Sequence, residues 1–204
     1  MPSILPDSKH LILASASPRR SQLLKEMDVP FSVSPVDVEE VWPDDLETDK
    51  IAVYLSRLKA SAFPSELLKK DTIVMAADTI VLLDGKVLGK PMDRDDAIRM
   101  LQELSGRMHE VITGVTLRDT DRYHDFSDLT KVYFGELSQT EIETYVDTYK
   151  PFDKAGSYGV QEWIGHVVID RIEGSYTNVM GLPTAKVYKA LRELRIKNEE
   201  LRMK

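Results

Sequence analysis

The feature that most constrains the fold is a strongly β-prone stretch, Thr72 to Ala77 and Thr79 to Leu83, interrupted by a single carboxylate, Asp78. A charge among such neighbours is expensive to bury unless it is paired or bound to a cation. At a strand end Asp78 could bind Mg²⁺ or Mn²⁺, or take a proton from water. The alternative is a turn or cap aspartate. Asp84-Gly85 then reads as a hairpin turn leading into Val87-Leu88.

Other elements surround this run. His10 to Ala14 reads as a buried strand, followed at once by Ser15-Ala16-Ser17-Pro18-Arg19-Arg20. Ser17 can cap a helix with Pro18 at its first position, and Leu23, Leu24 and Met27 give that helix an apolar face. Phe31 to Val38 alternates as a second strand and runs into the acidic segment Asp37 to Asp49. Ile51 through Phe63 place apolar residues on one helical stripe, with Lys59 on that helix. Asp93 to Leu104 reads as a helix with acids in its first turn, ended by Ser105-Gly106. Val111 to Leu117 and His124 to Phe134 read as antiparallel strands joined by Arg118 to Arg122. Ser138 and Glu141 form a capping box for a helix through Tyr149, closed by Pro151. Gly156 to Val160 is a loop, Val167 to Ile172 a strand, and Thr184 to Lys204 an amphipathic helix. The pattern predicts an α/β fold, and 204 residues are enough to bury a core as one domain or a domain of two lobes. No linker separates independent domains.

Charge and composition narrow the partners. With 27 Lys+Arg against 34 Asp+Glu the formal net charge is -7, which argues against broad binding to nucleic acid or a membrane surface. There is no cysteine, so disulfide and thiolate chemistry are excluded, and a metal would need oxygen or histidine ligands. The histidines, His10, His109, His124 and His166, show no metal-ligand spacing. Apolar stretches such as Ile73 to Ala77 are far shorter than the ~20 residues that span a bilayer. Met1 to Asp7 shows no secretory pattern, so the cytoplasm is the expected compartment.

Several segments could carry chemistry. Ser15 to Arg20 offers hydroxyls, a helix start with free N–H groups and two adjacent guanidiniums, a combination that suits a phosphate. The plainer reading is a capped helix with solvated arginines. Lys90, in Gly89-Lys90-Pro91, and Lys59 each read alone as snorkelling surface lysines. Glu39-Glu40 is either a solvated acidic face or a partner for Asp78 around a hard cation. The Gly156 to Gln161 and Glu173 to Pro183 segments permit close backbone approach to a ligand, where the Gln161 amide could pair with a base edge, or are ordinary connecting loops. No nucleophile-elbow pattern is present.

In their order along the chain, Ser15-Ala16-Ser17-Pro18-Arg19-Arg20, Ala76-Ala77-Asp78-Thr79-Ile80-Val81, Gly89-Lys90-Pro91, Leu104-Ser105-Gly106, Asp153 through Gln161 and Gly174-Ser175-Tyr176 through Gly181-Leu182-Pro183 closely resemble the Maf family of nucleoside triphosphate pyrophosphatases. The resemblance runs from about Leu11 to the C-terminal helix. It implies one Maf-like domain over residues 1–204: a long mixed twisted sheet flanked by helices, in two lobes with a central cleft, like the inosine triphosphate pyrophosphatases. It implies cleavage between the α- and β-phosphates with a divalent cation, Mg²⁺ or Mn²⁺, and a homodimer. By the same resemblance Asp78 is the proton acceptor. Ser15 or Ser17, Arg20, Lys59 and Lys90 bind substrate, and Glu40 joins Asp78 as a metal ligand, preferred to Glu39 for its distance to Lys59. Arg19, Thr79 and Gln161 match the Arg, Thr and Gln specificity positions of the dTTP/UTP pyrophosphatase subgroup. The 7-methyl-GTP subgroup differs at these positions. Glu162-Trp163-Ile164 stands where small glycine-rich residues are common in bacterial relatives. The rival from another class is a nucleotide-binding regulator of septum formation without physiological turnover.

Overall fold

The computed structural model of the protein describes Leu5 and residues 9–202, with side chains described as far as residue 195. Met1 to Asp7, apart from Leu5, and Met203 and Lys204 at the end of the expected C-terminal helix lie outside the described residues. The chain runs through β1 (His10–Leu13), α1 (Pro18–Glu26), β2 (Phe31–Val33), α2 (Ile51–Ala62), β3 (Thr72–Leu83), β4 (Lys86–Leu88) and α3 (Arg94–Leu104). It continues through β5 (Met108–Arg118), β6 (Tyr123–Phe134), α4 (Gln139–Tyr149), α5 (Trp163–Val167), β7 (Ile169–Glu173), α6 (Tyr176–Val179) and α7 (Thr184–Arg202).

The strands form one seven-stranded mixed sheet in the order β2-β1-β3-β5-β6-β7, with β4 also on β3. The β1–β2 and β1–β3 pairings are parallel and the rest antiparallel. Strand β3 is buried on both faces because alternate side chains enter different layers. Its even-numbered residues Val74, Ala76, Ile80 and Leu82 meet α2 through Ile51, Ala52, Leu55 and Ala60. Its odd-numbered residues Ile73, Met75, Ala77, Val81 and Leu83 join the main core with residues of α1, α3, α4 and α7.

The sheet has a notch at its centre. Strand β1 pairs with β3 only as far as Met75, and β4 meets it only from Val81 onward. Both lie on the same edge, since β5 occupies the other from Val74 to Leu82. Among the described residues, residues 76–80 therefore have no strand neighbour on the β1 side.

Local differences from the sequence reading have physical causes. Asp78 does not interrupt β3 but sits in mid-strand, opposite Gly114. The second strand is only Phe31–Val33, because these residues face Leu11 to Leu13 of short β1 and Pro35 soon removes a donor. Ser17 occupies the N-cap of α1, with Pro18 following, but its hydroxyl makes no capping bond. Val167 ends a helical turn, and the strand expected from it begins at Ile169. Tyr176–Val179, within an expected loop, is a short helix capped by Ser175, which accepts from the Asn178 N–H.

The Asp84-Gly85 turn is present, with both residues at positive φ (49° and 79°) as a two-residue hairpin requires. The Ser138–Glu141 capping box is complete. Ser138→Ala is expected to destabilise the protein by about 1 kcal/mol, read as a lower denaturant midpoint at unchanged slope. An unchanged midpoint would mean that the box contributes nothing.

Candidate active site

The notch opens into a cleft of about 470 Å³ lined by the α1 start, the middle of β3, Lys59 of α2, the Gly89-Lys90 segment, residues 153–161 and Met180-Gly181. Ser15, Ser17, Arg19, Arg20, Glu40, Lys59, Asp78, Thr79, Lys90 and Gln161 all line it. Asp78 and Thr79, being consecutive, point to opposite faces of the sheet. Only at a free edge can both border one space.

On the α2 side, Asp78 is 6% exposed and forms an ion pair with Lys59 Nζ. The same ammonium reaches Glu40 Oε1 at 2.9 Å, and Lys90 Nζ stands 3.4 Å from that oxygen. Burial alone would raise Glu40, but its contacts with the two lysines outweigh this and hold it below the usual carboxylate range. Two carboxylates and two ammoniums thus form one alternating cluster. The helix α2 that carries Lys59 lies close to the sheet at Gly114, the residue paired with Asp78, where a Cβ would overlap the Ala52 carbonyl group. Glycine inside a strand here marks a close approach of backbone to backbone.

On the other side, the partly buried Arg20 is held at three points. Its Nε donates to the Gly181 carbonyl at 2.8 Å, one terminal nitrogen to Ser15 Oγ at 3.2 Å, and the other to Thr79 Oγ1 at 3.1 Å. Burial pushes its guanidinium below the ordinary value, partly offset by the Asp78 charge, and it stays a cation. Ser15 Oγ also accepts from the Ser17 N–H at 3.2 Å, so the first hydroxyl supports the helix start while the second remains without a cap bond. Thr79 continues through Thr113 to the Asn178 carbonyl, at 2.9 and 3.0 Å.

The far wall carries Gln161, whose side-chain Oε1 is buried with no hydrogen-bond partner among the described residues. An acceptor in that state favours a ligand that brings an N–H. Sequence reasoning gave no role to Asp153, Lys154, Glu162 or Tyr145, which link Arg19 to this wall. Asp153 and Lys154 were visible as part of the Asp153 to Gln161 run, but nothing in their spacing shows what they touch.

The Maf model, described as Maf-like protein, matches residues 10–194. A protein from Flavobacterium psychrophilum named dTTP/UTP pyrophosphatase is 50% identical over 182 residues, 89% of this chain and 93% of that one. Proteins of the same name from Porphyromonas gingivalis and Bacteroides fragilis are 46% and 48% identical, over 90% and 92% of this chain and 93% and 97% of theirs. Among solved structures, the Staphylococcus aureus Ham1 protein aligns with a TM-score of 0.44 at 15% identity, over 62% of this chain and 72% of that one.

Proposed function

This chain belongs to the Maf family, and from that premise we propose that it is a nucleoside triphosphate pyrophosphatase that hydrolyses dTTP and UTP to the monophosphate and pyrophosphate. The observation that carries the reading is the convergence on one cleft of a buried carboxylate, two lysines and a guanidinium-bearing helix start. Together with relatives named as enzymes at about half identity, it disfavours a regulator without turnover, because binding alone needs no positioned base.

In this reading the triphosphate lies along the Ser15–Arg20 helix start. The α1 amides, Arg20, Lys59 and Lys90 bind its oxygens. Lys59 holds Asp78 in the free protein, so a triphosphate that draws the ammonium toward itself also releases the carboxylate to accept a proton. Water adds to the α-phosphorus as Asp78 takes its proton. The bond to the bridging oxygen breaks, and pyrophosphate leaves with its charge met by the lysines.

Glu40 and Asp78 fit a Mg²⁺ or Mn²⁺ ion chemically. They are hard oxygen donors converging on a point now served by one ammonium, and such ions are held by one or two carboxylates plus substrate phosphates. The ion, when bound, supplies polarisation of the phosphate.

The unpartnered Gln161 Oε1 matches the imide N–H shared by thymine and uracil and absent from cytosine, and Arg19 and Thr79 border the same space. We take the residues as one domain of two lobes, acting in the cytoplasm as a homodimer without nucleic-acid partners. Among the described residues no helix is long and apolar enough to cross a membrane.

A pyrophosphate-release screen over dTTP, UTP, CTP and GTP, with Mg²⁺ and with Mn²⁺, tests the assignment. Hydrolysis of dTTP and UTP to monophosphates, at least ~10-fold ahead of CTP, is expected. A preference for GTP would end the pyrimidine reading, and release of orthophosphate in place of pyrophosphate would end the cleavage-site reading.

A further inference from the structure

Arg19 and Gln161 stand on different elements, one in the first turn of α1 and the other in the turn before α5. A continuous chain of charged and polar groups runs from Arg19 to Glu162, the residue that follows Gln161. Arg19 donates to Asp153 Oδ2 at 2.8 Å, and Lys154 Nζ donates to the other oxygen of Asp153, also at 2.8 Å. The same ammonium lies 3.1 Å from Glu162 Oε1. Glu162 Oε2 accepts from the Tyr145 hydroxyl, which in turn accepts the Gly159 N–H at 3.0 Å.

The members differ in exposure in a way that identifies the centre. The Lys154 side chain is 10% exposed and that of Glu162 18%, whereas Asp153 at 58% faces solvent. An ammonium this enclosed, with carboxylates on both sides, is fixed in place in a way that a surface lysine is not. The turn it braces is closely packed. A Cβ at Gly159 would come within 2.7 Å of the Glu162 carboxylate carbon, and a Cβ at Gly165 would overlap the Val160 carbonyl. Gln161 lies between these two fixed points. Asp153 fits the same picture: burial would raise it, but its hydrogen bonds from Lys154 and Arg19 hold it down to about 2.

We infer that Lys154 is a positioning residue that, through Asp153 on one side and Glu162 on the other, locks Arg19 and Gln161 into a single base-reading wall. Selection among nucleotides depends on it, while the phosphate chemistry at Asp78 does not. The inference rests on the proposed pyrimidine nucleotide activity and deepens it by naming what sets the geometry of its selectivity. None of the contacts in the chain involves Asp78, Lys59 or Lys90, so loss of Lys154 leaves the phosphate side intact.

The test measures kcat and KM for dTTP, UTP and CTP in the wild type, Lys154→Met, Lys154→Arg and Asp153→Ala. Wild-type turnover decides the activity reading by itself, so its absence would be a failure of that reading and separable from the variants' result. With the wild type active, Lys154→Met and Asp153→Ala are expected to raise KM for dTTP and UTP roughly tenfold and to narrow their lead over CTP, with kcat within about twofold. Lys154→Arg, which keeps the charge, restores most of the discrimination. A purely structural role would lower all nucleotides together, leaving their ratio unmoved, and that result overturns the inference. If Lys154→Met fails to fold, the solvent-facing Asp153→Ala decides alone by the same ratio.

Discussion

Asp78→Asn is expected to lower kcat by about a thousandfold or more, the loss that follows removal of a positioned general base from a charge-developing reaction. Asparagine keeps the size and planar shape of the side chain but cannot accept the proton. The fold should survive, because Lys59 still has Glu40 at 2.9 Å and is not left buried without a partner. Melting within a few degrees of wild type, alongside lost pyrophosphate release, is the expected pair of observations. A variant turning over at the wild-type rate would remove Asp78 from its role and leave the cleft as a binding site.

The second large effect concerns stability. Gly114→Ala places a methyl group against the Ala52 carbonyl, backbone that cannot give way like a flexible side chain. Gly114 is not among the glycines at positive φ, so the penalty comes from contact and not from strained dihedrals. Overpacking of this severity is expected to cost about 3 kcal/mol or more, a drop near 10 °C in melting temperature for a chain of this size. Because α2 carries Lys59, lifting the helix from the sheet also loosens the ion pair with Asp78. Activity should fall even at temperatures where the variant stays folded. An unchanged denaturant midpoint would show that α2 can shift without cost.

These two positions also mark what the sequence does and does not disclose. Asp78 was legible because a lone carboxylate in a β-prone run demands an explanation. The Asp84-Gly85 hairpin and the Ser138–Glu141 box were legible because the residues that make them act locally. Each motif that lines the cleft could be read as a segment, and the resemblance to the family supplied the order that joined them. Gly114 carried no such signal: a glycine between Thr113 and Val115 says only that something comes near, and the neighbour is a helix more than fifty residues earlier. The hydroxyl of Ser17 failed as a cap because local preference yields where the helix start is organised by Ser15 and Arg20. Phe31 to Val38 alternates convincingly, yet its length as a strand is decided by short β1, which no alternation reports. The Arg19 to Tyr145 chain depends on tertiary packing alone.

The loops that line this cleft can widen or narrow it as they breathe, but its opening in the sheet is framed by main chain. Its two jambs are the end of β1, where Leu13 meets Met75, and the end of β4, where Leu88 meets Val81, both fixed by ladder bonds to the same strand. The spacing between them is therefore counted in residues of β3 and cannot be tuned continuously. Exchange of individual side chains can alter which nucleotide is welcomed, whereas a change of aperture would demand that a strand be lengthened or cut short.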